Sequence, residues 1–276
     1  MVRSADRLTD VESRQVLELA AAAERADGVY PLSEDVVLAV RHGGGRHLLT
    51  DAGYAFLGAE SGELVVHPDH RRRGHGTALL RAAGDGPLTF WAHGDGPPAR
   101  AFAEKAGFDR IRVLWQMRRS LAEDLPDAPL PAGVTLRHFR PGHDEQAWLT
   151  VNARAFADHP EQGRWTEHDL ELREAEPWFD PAGFLLAVDV EDRLLGFHWT
   201  KVQDGLGEVY VLGVDPGGHR KGLGRALSVA GLRHLTDRGL TTAILYVDES
   251  NRAAVGLYES LGFARWSADV SYQRRR

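Results

Sequence analysis

One pattern occurs twice in this chain and constrains its fold more than any other feature. Residues 64–80 read LVVHPDHRRRGHGTALL, and residues 212–228 read LGVDPGGHRKGLGRALS. At an offset of 148, Leu64 aligns with Leu212, Val66 with Val214 and Pro68 with Pro216. Gly74 then meets Gly222, Gly76 meets Gly224, Ala78 meets Ala226 and Leu79 meets Leu227. A second match follows downstream, where PARAFAEKAGF (98–108) parallels RAAVGLYESLGF (252–263), each closing on Gly-Phe. Such self-similarity makes the 276 residues two copies of one unit rather than one large fold. We read residues 1–121 as a first domain, the proline-bearing segment 122–132 as a linker and residues 133–276 as a second domain.

Hydrophobic periodicity gives both copies a similar element order. In the first, VESRQVLELAAAAERA (11–26) has helical spacing behind the cap residue Thr9. DVVLAV and RHLLT, either side of the glycines at 43–45, read as the arms of a hairpin. YAFLGA and ELVVH read as strands, then a helix from Arg73, strand LTFWA, helix PARAFAEKA and a final strand IRVLWQMRR. The second copy runs VTLRHF, helices near 143–157 and 166–175, then strands GFLLAV, LLGFHWT and EVYVLGV. A helix over 221–238, strand TAILYV, a helix over 251–261 and a last strand complete it. A strand meander followed by strand–loop–helix–strand–helix–strand predicts an α+β fold, with a mixed central sheet flanked by helices in each copy.

Both copies set spaced glycines and basic residues between a strand and a helix. Glycines let backbone N–H groups approach a ligand, and a helix N-terminus offers unpaired donors with a favourable dipole, so the expected ligand is a phosphate. GGHRKGLG does not meet the nucleotide pattern GxxxxGK[ST], and GLGRAL lacks the third glycine of the dinucleotide pattern GxGxxG. The turn after a strand ending V-x-P resembles instead the acyl-CoA pyrophosphate loop of the GNAT superfamily of N-acyltransferases, which implies two tandem GNAT domains. Together with LYVDESNRAAVGLYESLGF and DHPEQGRW, the loop resembles the mycothiol synthase family. The likeness covers nearly the whole chain, with residues 1–60 its weaker part. One departure is His219, standing where Arg or Gln is usual.

The resemblance implies a tandem-GNAT enzyme that moves acetyl from acetyl-CoA to the cysteinyl amine of a cysteinyl-glucosaminyl-inositol, without a metal. That transfer needs a neutral amine, a stabilised oxyanion and a proton for the leaving thiolate. An α-amine of pKa about 8 is mostly protonated at neutral pH, so a base assists. Glu208, in GEVYVLGV, is a carboxylate inside an apolar strand, costly to bury unless paired or used. The family comparison supports it as general base, acting through a water; the plainer reading is a solvated strand-edge carboxylate. Tyr258, in AAVGLYESLGF, falls where GNAT enzymes keep the acid that protonates the thiolate; otherwise it is an amphipathic-helix tyrosine. Backbone N–H groups around Leu212–Val214 would polarise the thioester carbonyl, because a splayed strand leaves them unpaired.

Cofactor contacts are expected from Leu212, Gly213, Val214, His219, Arg220, Lys221, Gly222, Leu223, Gly224 and Arg225. In the first copy they are expected from Leu64, Val65, Val66, Arg71, Arg72, Arg73, Gly74, His75 and Gly76. The resemblance adds Asn251, Arg252, Ala253, Ala254, Val255 and Gly256, although Asn251 by itself reads as a helix N-cap. For the acceptor, family correspondence points to Glu161, Lys201, Glu208 and Tyr246, with Glu34 in the first copy. His159 is an alternative base.

The first copy departs at the chemistry. Aligning the Gly-Phe pairs puts Ala103 opposite Tyr258, while Glu60 falls opposite Glu208. This half is expected to hold acetyl-CoA without turning it over, or to act as a packing partner. Composition narrows the rest. The absence of cysteine excludes disulfides, thiolate metal sites and cysteine nucleophiles, and His138, His143, His159 and His168 lack a ligand spacing. A net charge of −7 argues against a nucleic-acid partner. No apolar run approaches the ~18 residues of a membrane span, and MVRSADRLTDVESRQ has no signal core. The expectation is a cytoplasmic monomer acting on a small-molecule amino-sugar conjugate, away from membranes. Two alternatives stay open: a tandem GNAT acting on another small amine or a peptide N-terminus, and a non-catalytic acyl-CoA-binding module. The Glu208/Tyr258 pair favours an enzyme, since a sensor needs neither proton-transfer group.

Overall fold

The computed structural model describes residues 1–157, 159, 162–218 and 221–274. Its chain divides into two compact units. The first holds residues 1–115 and 248–250 together with the C-terminal residues from Ser267. It opens with the short strand β1 (Arg3–Ala5). Helix α1 (Asp10–Asp27) then starts on a capping box, in which the Thr9 side chain accepts the Glu12 N–H and the Glu12 carboxylate accepts the Thr9 N–H.

The next segment differs from the sequence expectation. DVVLAV is not a hairpin arm but lies within helix α2 (Glu34–His42). The β-branched valines favour a strand locally, yet the ends decide otherwise. Ser33 caps the helix through the Val36 N–H, Glu34 and Asp35 occupy its first turn, Arg41 and His42 its last, and Gly43 ends it. Val36 and Val40 are thereby buried with Val16, Ala20 and Ala23 of α1.

The sheet of the first unit continues with β2 (Arg46–Thr50), β3 (Gly53–Leu57), β4 (Gly62–Val66) and β5 (Leu88–Ala92). Helix α3 (His75–Ala83) connects β4 to β5, and α4 (Pro97–Lys105) follows. β1 to β4 form an antiparallel meander, while β4 and β5 are parallel. Strand β6 (Phe108–Ser120) gives its first part to this unit and residues 116–120 to the other. Glu60 lies in the exposed turn before β4, so the strand carboxylate of this unit is Glu63, not Glu60.

The second unit repeats the scheme. Strands β7 (Thr135–His138), β8 (Phe184–Val188), β9 (Leu194–Gln203) and β10 (Leu206–Val214) run antiparallel, and β11 (Thr242–Asp248) lies parallel to β10. Helices α5 (Glu145–Ala155) and α6 (Glu167–Glu174) precede β8, α7 (Leu223–Asp237) connects β10 to β11, and α8 (Arg252–Ser260) follows β11. The core of this unit is aromatic. Trp148, Phe139, Phe184, Phe197 and Trp199 are buried, with Trp165, Trp178, Phe179 and Tyr210 packed against them. Phe184 stacks on Trp199 and on Phe139, each with centroids 4.4 Å apart. Such pairs contribute roughly 0.5–1.5 kcal/mol each beyond the area they bury.

The last strand, β12 (Ala264–Arg274), returns to the first unit, where Val270–Arg274 pairs antiparallel with β5. There Asp269 accepts the Gly94 N–H at 2.8 Å and meets His93 Nδ1 at 2.9 Å. Glu63 Oε1 lies 3.3 Å from His93 Nε2, and Glu63 Oε2 accepts the Ser33 N–H at 2.8 Å. Burial opposes charge on His93, but Glu63 and Asp269 outweigh it and push the imidazole up to about 10.

Candidate active site

Glu208 lies on β10, which pairs with β11 over only part of its length and leads into the glycine loop. The parallel ladder between them joins Gly207 to Ala243, Glu208 to Ile244 and Val209 to Leu245, and stops there. On its other side, β10 stays paired with β9 through Val214, with a register shift between Val209 and Val211 that leaves Tyr210 as a bulged residue. A strand sends alternate N–H groups to its two neighbours. Beyond Val209, those aimed at β11 face an opening seam, so a carbonyl oxygen entering it would meet backbone donors from Tyr210 to Val214.

β10 leads into the glycine loop. Asp215, only 6% exposed, shapes the entry: its carboxylate accepts the Gly217 N–H at 2.9 Å and pairs with Arg154 at 3.2 Å. Gly222 is the N-cap of α7 at φ 88°, a left-handed conformation that a Cβ would strain, and no side chain caps the helix. Among the described residues, the atom nearest a Cβ built at Gly224 would be Val214 Cγ2, at 3.8 Å. Among the described residues, the start of α7 therefore offers uncapped donors, with Lys221 exposed beside them. That arrangement fits a diphosphate. Leu223, Gly224 and Arg225 form the first turn of α7, and Arg225 donates to Ser260 Oγ at 2.8 Å. His219 and Arg220, together with Glu161 of the acceptor set, lie outside the described residues.

Glu208 sits mid-strand, half-buried, with Lys201 as its register partner on β9. Lys201 is 8% exposed, its ammonium 4.6 Å from the Trp178 ring centre and 5.3 Å from that of Tyr210. Tyr258 is buried in α8, its ring 5.8 Å from Phe263, and lost hydration pushes its phenol up to about 12. Asn251 is the N-cap of α8, accepting the Ala254 N–H at 3.1 Å; Arg252, Ala253, Ala254, Val255 and Gly256 follow it in the helix. Tyr246 is exposed on β11, and its hydroxyl accepts from Gln116 Nε2 at 2.7 Å. His159 Nδ1 accepts the Gln162 N–H at 3.0 Å, which engages it in the local turn. Among the described residues, no group of three or more His, Asp or Glu side chains is arranged to hold a metal ion. Among the described residues, no helix is long and apolar enough to cross a membrane.

Sequence reasoning missed the side chains behind this seam. Arg173 of α6, 3% exposed, donates from Nε to the Tyr210 hydroxyl at 2.8 Å and lies 3.8 Å from the Trp165 ring centre. Tyr210 is in the quoted strand, but nothing local marks it as a bulge or ties it to a helix 37 residues away.

The first unit has the corresponding glycine-capped helix start after a strand without a bulge. Gly74 caps α3 at φ 90°, as Gly222 caps α7. Leu64, Val65 and Val66 belong to β4, which pairs with β3 in unbroken register from Gly62 to Val66, without a bulge. Arg71 is held by both carboxylate oxygens of Asp27 and by the Val66 carbonyl, Arg72 and Arg73 lie in the turn, and His75 Nδ1 meets Thr50 Oγ1 at 3.1 Å. Gly76 follows in the first turn of α3, Glu34 opens α2, and Ala103 is buried in α4.

Family comparisons agree with this layout. The Acetyltransferase (GNAT) family model matches residues 148–263, and an Acetyltransferase (GNAT) domain model matches residues 33–110. The chain is 58% identical to the mycothiol acetyltransferase of Thermomonospora curvata, over 97% of this chain and 95% of that protein. It is 57% identical to the mycothiol acetyltransferase of Salinispora arenicola, over 99% and 96%. Among solved structures, a GCN5-related N-acetyltransferase from Sphaerobacter thermophilus superposes with a TM-score of 0.70 at 24% identity, covering 99% of this chain and 95% of that one. A tandem GNAT protein from the clavulanic acid biosynthesis pathway gives 0.72 at 20% identity, covering 99% and 98%. At those identities the likeness concerns the fold, and the fold is the tandem one that the internal repeat requires.

Proposed function

This chain belongs to the mycothiol acetyltransferase family, and on that premise we propose that its second unit alone carries out the transfer, with Glu208 as base and Tyr258 as acid. The reaction moves acetyl from acetyl-CoA to the cysteinyl amine of cysteinyl-glucosaminyl-inositol. Acetyl-CoA supplies an acetyl thioester, whose carbonyl is open to attack and whose thiolate, of pKa about 8.5, is a fair leaving group.

The uncapped start of α7, from Gly222 to Arg225 with Lys221 beside it, holds the diphosphate, and the α8 turn from Asn251 to Gly256 lies against the same ligand. Donors of β10 between Tyr210 and Val214 stabilise the carbonyl oxygen as it gains charge. Glu208 takes the proton that the attacking amine loses, through a water. Tyr258 donates to sulfur as the C–S bond breaks, so one proton leaves nitrogen and one arrives on sulfur. Lys201 and Tyr246, with Glu161, bind the hydroxyl-rich acceptor. The first unit holds a diphosphate at Arg72, Arg73, Gly74 and Gly76 without turnover. The donor is a cytoplasmic metabolite, and the reading puts the enzyme there.

The observation that carries this proposal is the β10/β11 seam, which opens one residue beyond Glu208 in the unit that has the bulge. Release of free CoA is the test, measured with acetyl-CoA and a panel of amines. Wild type should release CoA with the cysteinyl pseudodisaccharide alone, and Glu208→Gln should do so roughly 10²- to 10⁴-fold more slowly with acetyl-CoA binding intact. Equal release with unrelated amines would replace the acceptor assignment, and full activity in Glu208→Gln would remove the base.

A further inference from the structure

We propose that Arg173 is a positioning residue for acyl transfer, clamping Tyr210 so that the β10 donors beside it point at the thioester carbonyl. The inference rests on the reading that those donors polarise the carbonyl. A bulged residue has no paired rung of its own, so its orientation is set by what its side chain touches. For Tyr210 these contacts are specific. Its ring centre lies 5.0 Å from Trp178 and 5.2 Å from Trp199, and its hydroxyl accepts from Arg173 Nε at 2.8 Å.

Arg173 is itself immobilised. Its Nη1 donates to the Asp169 carbonyl at 2.8 Å within α6, and its guanidinium lies over Trp165. An apolar side chain of similar size could fill the same space. What an apolar side chain cannot supply is a directional donor, which fixes where the phenol, and with it the bulge, must sit. The first unit offers the contrast: β4 runs in unbroken register and carries no tyrosine between Gly62 and Val66. Clamp and bulge occur together, in the unit that also has Glu208 and Tyr258.

Isotope-edited infrared spectroscopy of bound acetyl-CoA, carbon-13 labelled at the carbonyl and measured without acceptor, reads the aim of these donors directly. Wild type should shift the carbonyl band to lower frequency than in solution. In Tyr210→Phe, which keeps the ring, and in Arg173→Met, the band should move back towards its solution position. The kcat should fall roughly 10- to 100-fold, with KM for acetyl-CoA within about twofold of wild type. A folding defect would not move the band of the protein that still binds, and if Arg173→Met fails to fold, Tyr210→Phe decides alone. A wild-type band in Tyr210→Phe overturns the inference while leaving the polarised carbonyl in place. An unshifted band in wild type itself removes the underlying reading as well.

Discussion

Lost hydration pushes the phenol of Tyr258 up to about 12, and this shapes what the residue can do. A tyrosine with that pKa stays protonated up to about pH 10, so on the proposed mechanism it donates a hydrogen bond to the departing sulfur without titrating there. The sign is therefore fixed: activity rises with pH as the attacking amine loses its proton, and no fall assignable to Tyr258 occurs before pH 10. Tyr258→Phe should lower kcat by roughly 10²- to 10⁴-fold with little change in KM for acetyl-CoA. A pH–rate profile to pH 10 checks this; an alkaline limb below 10 that vanishes in Tyr258→Phe would show the phenol ionising where it should not. Glu208 and Tyr258, whose roles belong to the proposal, were readable as candidates because each lies in a short motif whose neighbours mark it. Arg173 and Tyr210 were not, because their contact links a helix to a strand 37 residues on and leaves no local pattern.

Among the elements, the two hardest to read were α2 and β12, for different physical reasons. α2 carries adjacent valines whose β-branching mimics a strand, and only the cap at Ser33 and the charges at both ends correct that impression. β12 looks like the last strand of the second copy, and no residue in it announces that Val270–Arg274 pairs with β5. In the first unit this strand does more than complete a ladder. It brings Asp269 to His93, and the Tyr272 hydroxyl donates to Asp95 at 2.6 Å. Deleting the chain from Ser267 onward should therefore expose the edge of β5 and open the first unit. Hydrogen exchange is the measurement: amides of β4 and β5 should lose protection in the truncated protein and regain it when a peptide spanning 267–274 is added. Wild-type protection in the truncated chain would mean that β5 does not depend on its partner.

At the scale of the whole molecule, His198 of the second unit and His93 of the first respond to pH in opposite directions. Burial depresses His198 in the second unit to about 4, with His234 adding to the effect and a bond to the Leu227 carbonyl opposing it. An unfolded histidine takes its proton near 6.5, so as pH falls from there towards 4 the unfolded chain binds a proton that the folded unit refuses. The second unit thus loses stability on the acid side, by up to about 3 kcal/mol at pH 4. His93 in the first unit is the reverse case. Its folded ring holds a proton up to about 10, while the unfolded ring releases it near 6.5. Its contribution is complete below 6.5 and is lost as pH rises through 10, when Glu63 and Asp269 are left as buried carboxylates with no cation between them. His47 on β2, also buried and also lowered by lost hydration, adds an acid-side loss in the first unit, so the alkaline limit is the one at which the two units should differ. Hydrogen exchange should show β9 and α7 losing protection between pH 6.5 and 4, and β4 and β5 losing it between pH 7 and 10. In His93→Gln, β4 and β5 should be less protected at pH 7 and lose little further protection as the pH is raised. An alkaline response in that variant as steep as in wild type would locate the titrating group elsewhere.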